Sequence, residues 1–188
     1  SGGGECADGN LCMSDDNHVA RPYQPVYRIP LRVHLGQSDR APRNYCEIFM
    51  EINHIWLSQA AICYEIEVVM HDEVSEAGFD TWFMPVVGGS DDYNGYFVNA
   101  HGIQVRDTPN LNPADHPARN PAARTAAHEF GHALGLLHRQ DSDDNLMRSK
   151  TLGWLLNDKE VMTARRAAAS MSLTQRGETV CGPATFRP

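Results

Sequence analysis

No apolar run in the sequence approaches the ~20 residues a membrane-spanning helix needs, so no transmembrane helix is expected and the chain reads as soluble. Positive charge is also in short supply. Lys and Arg number 16 against 24 Asp and Glu, a formal net charge of -8, which is the wrong sign for a partner of nucleic-acid phosphates. No segment repeats internally, and no charged-then-apolar leader precedes Ser1. The five cysteines, Cys6, Cys12, Cys46, Cys63 and Cys181, lack the short paired spacing of a zinc finger. Disulfides are the expected use, which points to a secreted or extracytoplasmic location. The odd count leaves one sulfur over, open to an intermolecular disulfide in a chain otherwise expected to be a monomer. A secreted chain whose leader has been removed would look like this, and Ser1 to Gly4 fits a cloning remnant equally well.

What is present fits one domain, since 188 residues can bury roughly two-thirds of the surface exposed when unfolded. Residues 1–25, rich in Gly, Asp, Asn and Pro, read as an extension, and order is expected from Val26. From Tyr27 to Leu35 apolar residues alternate with Arg28, Pro30, Arg32 and His34, the pattern of a half-buried strand. Tyr45, Ile48, Phe49, Ile52, Ile55 and Trp56 recur at helical spacing. Ile62 to Met70 alternate again, and shorter strands are expected at Thr81–Val87 and Tyr96–Val105 around the loop Gly88–Gly95. After the proline-rich stretch Arg106–Pro121, Asn120 and Pro121 can cap and start a helix. Asn157 with Glu160 three residues on predicts the start of a last helix, running to about Met171.

Residues 128–138 read His-Glu-Phe-Gly-His-Ala-Leu-Gly-Leu-Leu-His. A four-residue spacing puts His128 and His132 on one helical face, one turn apart. His138, six residues further on, would be carried away by a continuing helix, so the chain must turn, and Gly135 can enter the left-handed region without steric penalty. Three imidazoles with an open fourth position describe a catalytic zinc site. Glu129 stands beside the first ligand, where it can take a proton from an attacking water and pass it to a leaving amine. That chemistry is peptide hydrolysis.

This pattern resembles the metzincin clan of zinc endopeptidases, whose third histidine is followed by a methionine-containing turn. Asn145-Leu146-Met147 matches that turn, nine residues from His138 to Met147, and the run Ala126–Leu136 is most similar to the matrixins, the matrix metalloprotease family. Arg139 stands where matrixins usually have Ser, and no His-x-Asp lies upstream, so the resemblance reaches matrixin-like and stops. Ser149 replaces the Tyr ligand of astacin-like and serralysin-like enzymes. The motif spans about residues 125–147. The resemblance implies an α+β fold: a twisted, mixed, mostly parallel five-stranded sheet with an antiparallel edge strand from Tyr93–Ala100, a backing helix, an active-site helix, and a small C-terminal subdomain with one helix. Residues 26–172 would then be the catalytic domain, divided at Gly135 into 26–135 and 136–172, with 173–188 as a tail. It further implies Met147 as an apolar floor beneath the zinc, and a protein or peptide substrate bound as an extended strand. The segment after Met147, with Leu152 and Trp154, would wall the pocket for the residue following the cut.

Weaker signals remain. Asp91, Asp92 and Asn94, and the run Asp141–Asn145, offer oxygen ligands for calcium or form solvated acidic loops. The remaining histidines, His18, His34, His54, His71, His101 and His116, have no ligand spacing. Matrixins are kept latent by an upstream cysteine, and Cys6 or Cys12 could act so here, although the Pro-Arg-Cys-Gly setting is absent and disulfides are the simpler use. Cys46 and Cys63 are not expected to pair, because the helix between them spans on the order of 20 Å. The competing functions are a binding module or toxin subunit that keeps the zinc fold without turnover, and an exopeptidase.

Overall fold

The computed structural model describes residues 23, 25–38, 45–75, 79–90, 92–99, 102–107, 121–149, 153–171, 174–176 and 185–186. In it the alternating segment forms β1 (Val26–His34), the amphipathic segment α1 (Tyr45–Ala60), and the next alternation β2 (Ile62–Val69). β3 (Phe79–Met84), β4 (Gly95–Asn99) and β5 (Gly102–Arg106) follow, then α2 (Pro121–Ala133) and α3 (Asp158–Met171). Two short strands, β6 (Thr174–Arg176) and β7 (Thr185–Phe186), come last. The fold is α+β, a mostly parallel sheet with three helices among the described residues.

The strands run in the order β4-β5-β3-β1-β2-β7. β1 lies parallel to β2 along Tyr27–His34, and on its other side meets β3 at Leu31–His34 and antiparallel β6 at Val26–Arg28. Two expectations change here. The segment Tyr96–Val105 is a hairpin and not one strand: β4 turns back antiparallel on β5, with a register shift between Phe97 and Asn99. Alternation carries no information about where a strand reverses, so the pattern looked continuous. The expected tail after Met171 supplies β6 and β7, which extend the five-stranded core of the sheet to seven strands. β4 is the antiparallel edge strand.

The helices pack where their apolar stripes point. α1 buries Ile48, Phe49, Ile52, Ile55 and Trp56, and the Trp56 indole N–H donates to the Ala127 carbonyl of α2 at 3.2 Å. Asn53, also buried, exchanges two hydrogen bonds with the Tyr64 backbone, which locks α1 onto β2. α2 is short of large apolar residues but rich in alanine, so it comes close to its neighbours, and its Phe130 ring stacks on Tyr64 at 4.3 Å between centroids. α3 adds Val161, Ala164 and Ala168 to the same buried cluster as the sheet, α1 and α2. The capping box is reciprocated as the sequence predicts: Glu160 N–H donates to Asn157 Oδ1 (2.9 Å) and Asn157 N–H to Glu160 Oε1 (3.0 Å).

A buried polar group lies where β1 and β3 adjoin. His34 Nε2 is 2.7 Å from Asp80 Oδ1 and its Nδ1 2.8 Å from the His71 carbonyl, while the ring stacks on Trp82. Cys63 is buried in β2 and disulfide-bonded. Cys6, Cys12, Cys181 and the Cys46 side chain lie outside the described residues, and with them the pairing expectations and the cysteine switch.

Candidate metal centre

His128 and His132 occupy successive turns of α2, and Ala122, Ala123, Ala126 and Ala127 bury the helix's other face. Gly135 ends the helix at φ +87°, with Leu136 N–H donating to the Gly131 carbonyl (2.9 Å) and Gly135 N–H to the His132 carbonyl (3.0 Å). These two bonds are a Schellman termination, which glycine makes without strain. The chain then doubles back and delivers His138. Ligand atoms of His128, His132 and His138 all lie within 4.8 Å of one another, a group that could hold a metal ion.

Each helical histidine is oriented by a carbonyl. His128 Nδ1 donates to Leu146 O at 2.7 Å and His132 Nδ1 to Leu136 O at 2.8 Å, so the hydrogens sit on Nδ1 and the Nε2 lone pairs are left for a metal. The two Nε2 atoms are 3.2 Å apart. Burial holds the His128 imidazole well below its usual pKa and lowers that of His132, which keeps both rings neutral and able to ligate near pH 7.

Glu129 follows His128 on α2 and is 7% exposed. Burial raises its carboxyl pKa to about 7, with the Arg124 guanidinium pulling the other way. Arg124 is itself buried, and desolvation lowers it to about 10, so it remains a cation at neutral pH. Its Nε donates to Gly153 O (3.1 Å) and its Nη2 to Leu146 O (2.7 Å) and Arg148 O. Sequence reasoning passed over this residue. The available signal was a charged side chain one turn before His128, on an otherwise alanine-lined stretch of helix.

Met147 is fully buried against α2, so close that a Cβ on Gly131 would collide with its sulfur. Asn145 holds the turn: its Oδ1 accepts from Met147 N–H (2.7 Å), and its Nδ2 donates to Glu160 Oε1 (2.7 Å) at the start of α3. The following segment is fastened by Gln59 of α1, whose Nε2 donates to Trp154 O (2.8 Å) and whose Oε1 accepts from Leu156 N–H (2.7 Å). Leu152, one of the two expected pocket-wall residues, lies outside the described residues. Trp154 is half-buried and turns its ring toward His54, 5.8 Å between centroids.

For calcium, Asp91 lies outside the described residues, Asp141 is taken up by the exposed Arg139 (2.8 Å), and Asp143 by Arg148 (3.0 Å). Among the described residues the three histidines are the one group of three or more ligating side chains close enough to share an ion. No helix of the described residues is long and apolar enough to cross a membrane. No protein-family model matches the chain, and no curated protein matches it.

Proposed function

We propose that the chain is a zinc-dependent endopeptidase of the metzincin type, matrixin-like, that acts outside the cytoplasm on protein or peptide substrates bound as extended strands. The observation that carries this reading is the convergence of three imidazoles, two of them oriented by carbonyl acceptors, with a buried carboxylate next in sequence to the first. Three neutral nitrogen donors suit zinc, and the set lacks the oxygen ligands that magnesium or calcium prefers. Bound by His128, His132 and His138, zinc would supply a Lewis acid for the scissile carbonyl and lower the pKa of water in its open position.

The chain's own residues supply the rest. Glu129 takes a proton as water attacks the carbonyl carbon and gives it to the amide nitrogen, so that the C–N bond breaks with a neutral amine leaving. Met147 offers an apolar floor and no competing charge. β4 is an edge strand whose outer backbone groups can pair with an extended peptide, which favours broad sequence tolerance.

The deciding experiment combines metal analysis with peptide-library digestion in the presence and absence of a chelator. About one zinc per chain, internal cuts, and loss of cutting on chelation with recovery on adding zinc are expected. Release of single terminal residues would make it an exopeptidase, and zinc without any cleavage would make it a binding module.

A further inference from the structure

Gly95 opens the edge strand β4, opposite Val105 of β5, and lies against the helix that carries the metal ligands. A Cβ placed there would stand 2.7 Å from Glu129 Cγ, 2.9 Å from Glu129 Oε1 and 2.7 Å from Thr125 Cγ2. Contacts under about 3 Å between such atoms are repulsive, so the space a side chain would need at position 95 is already taken by the Glu129 arm and the Thr125 methyl. Thr125 and Glu129 are one turn apart on α2, and Phe97, two residues along β4, brings its ring to 6.3 Å from that of His132. The strand therefore tracks the helix face next to the ligands. Its one position without a side chain coincides with the carboxylate.

We propose that Gly95 is a positioning residue for the Glu129 carboxylate, the absent side chain being the space that fixes where the base stands. This rests on the reading of Glu129 as the base. A methyl group at position 95 has two ways to be accommodated. The Thr125 methyl belongs to a β-branched side chain stiff at χ1, whereas the Glu129 arm is long and rotates readily. The carboxylate is the part that yields, and a base displaced by about 1 Å loses on the order of 100-fold in rate. None of the three histidines is among the nearest neighbours of the missing Cβ, so metal binding is unaffected.

The test uses the full chain loaded with zinc, with Gly95→Ala, Gly95→Ala/Thr125→Ser and Thr125→Ser. Thr125→Ser removes the second clash and by itself leaves turnover at the wild-type level. In both Gly95 variants kcat is expected to fall on the order of 100-fold, with KM changed less than about threefold and zinc content unaltered. The serine double variant keeps the question answerable if Gly95→Ala alone folds poorly. A second readout needs no activity: in the metal-free protein carrying Thr125→Ser, so that only the Glu129 contact remains, Gly95→Ala lowers the denaturant midpoint, and Glu129→Ala, which removes Cγ and the carboxylate, recovers most of that loss. Wild-type kcat in Gly95→Ala/Thr125→Ser, or no stability coupling between positions 95 and 129, overturns the inference while Glu129 remains the base. If Glu129→Ala itself turns over normally, the proposed mechanism falls and this inference falls with it.

Discussion

Arg124 and His128, one turn apart on α2, donate to the same atom: the Leu146 carbonyl oxygen accepts from Arg124 Nη2 and from His128 Nδ1, each at 2.7 Å. The residue before Met147 thus holds His128 in its tautomer while the arginine holds that residue. A buried cation with three carbonyl acceptors is costly to dismantle by halves. Arg124→Met is expected to destabilise the protein by roughly 3 kcal/mol in urea unfolding and to weaken zinc binding by about 10- to 100-fold, since outer-shell partners tune ligand geometry. Arg124→Lys, which keeps the charge but not the fork that spans Gly153, Leu146 and Arg148, should recover only part of either loss. Zinc competition assays read the second effect independently of stability.

Under the proposed mechanism, Glu129→Ala separates proton transfer from metal binding. Turnover is expected to drop roughly 100- to 10,000-fold, the range for a positioned general base, while metal analysis still finds zinc on the three histidines. Unchanged turnover would remove Glu129 from the mechanism.

The pH dependence of the metal-free protein reports on the same carboxyl. Its folded pKa lies near 7 against an ordinary 4.5, raised by burial, so between those values the folded chain holds a proton that the unfolded chain releases. Stability from this group is therefore present below pH 4.5 and is lost as pH rises toward 7. Glu129→Gln carries no charge, and its advantage over wild type should grow across that window to about 3 kcal/mol. His128 and His132, lowered by burial, act with the opposite sign in both proteins and cancel in the comparison. Unfolding titrations at pH 4.5, 6 and 7.5 would check it; parallel curves would mean that the carboxyl is not desolvated.

The His34–Asp80 pair, both members buried, is expected to be structural. His34→Ala removes the imidazole from a buried Asp80 carboxyl group that still accepts from the Ser75 N–H, and a loss of roughly 2 kcal/mol follows. Asp80→Ala should cost a similar amount. The double variant should cost clearly less than the sum, which chemical denaturation of the four proteins measures.

By itself the sequence determined whatever is encoded over a few residues. His128 and His132 one turn apart, Gly135 in the left-handed region, and the reciprocal bonds of Asn157 and Glu160 all follow from helix geometry and backbone sterics, which act locally. The alternation in β1 and β2 was legible for the same reason: side-chain period 2 belongs to the strand itself. Tertiary structure alone decided that Tyr96–Val105 folds into a hairpin, and that the last residues return to pair with β1 and β2. It also decided that Arg124 and Gln59 hold the chain around Met147 through its carbonyls and that Gly95 makes room for Glu129. Those relationships join residues from about 20 to nearly 100 positions apart through backbone atoms or an absent side chain. Every residue has the same backbone, and an empty space has no letter, so neither leaves a mark until the chain is folded.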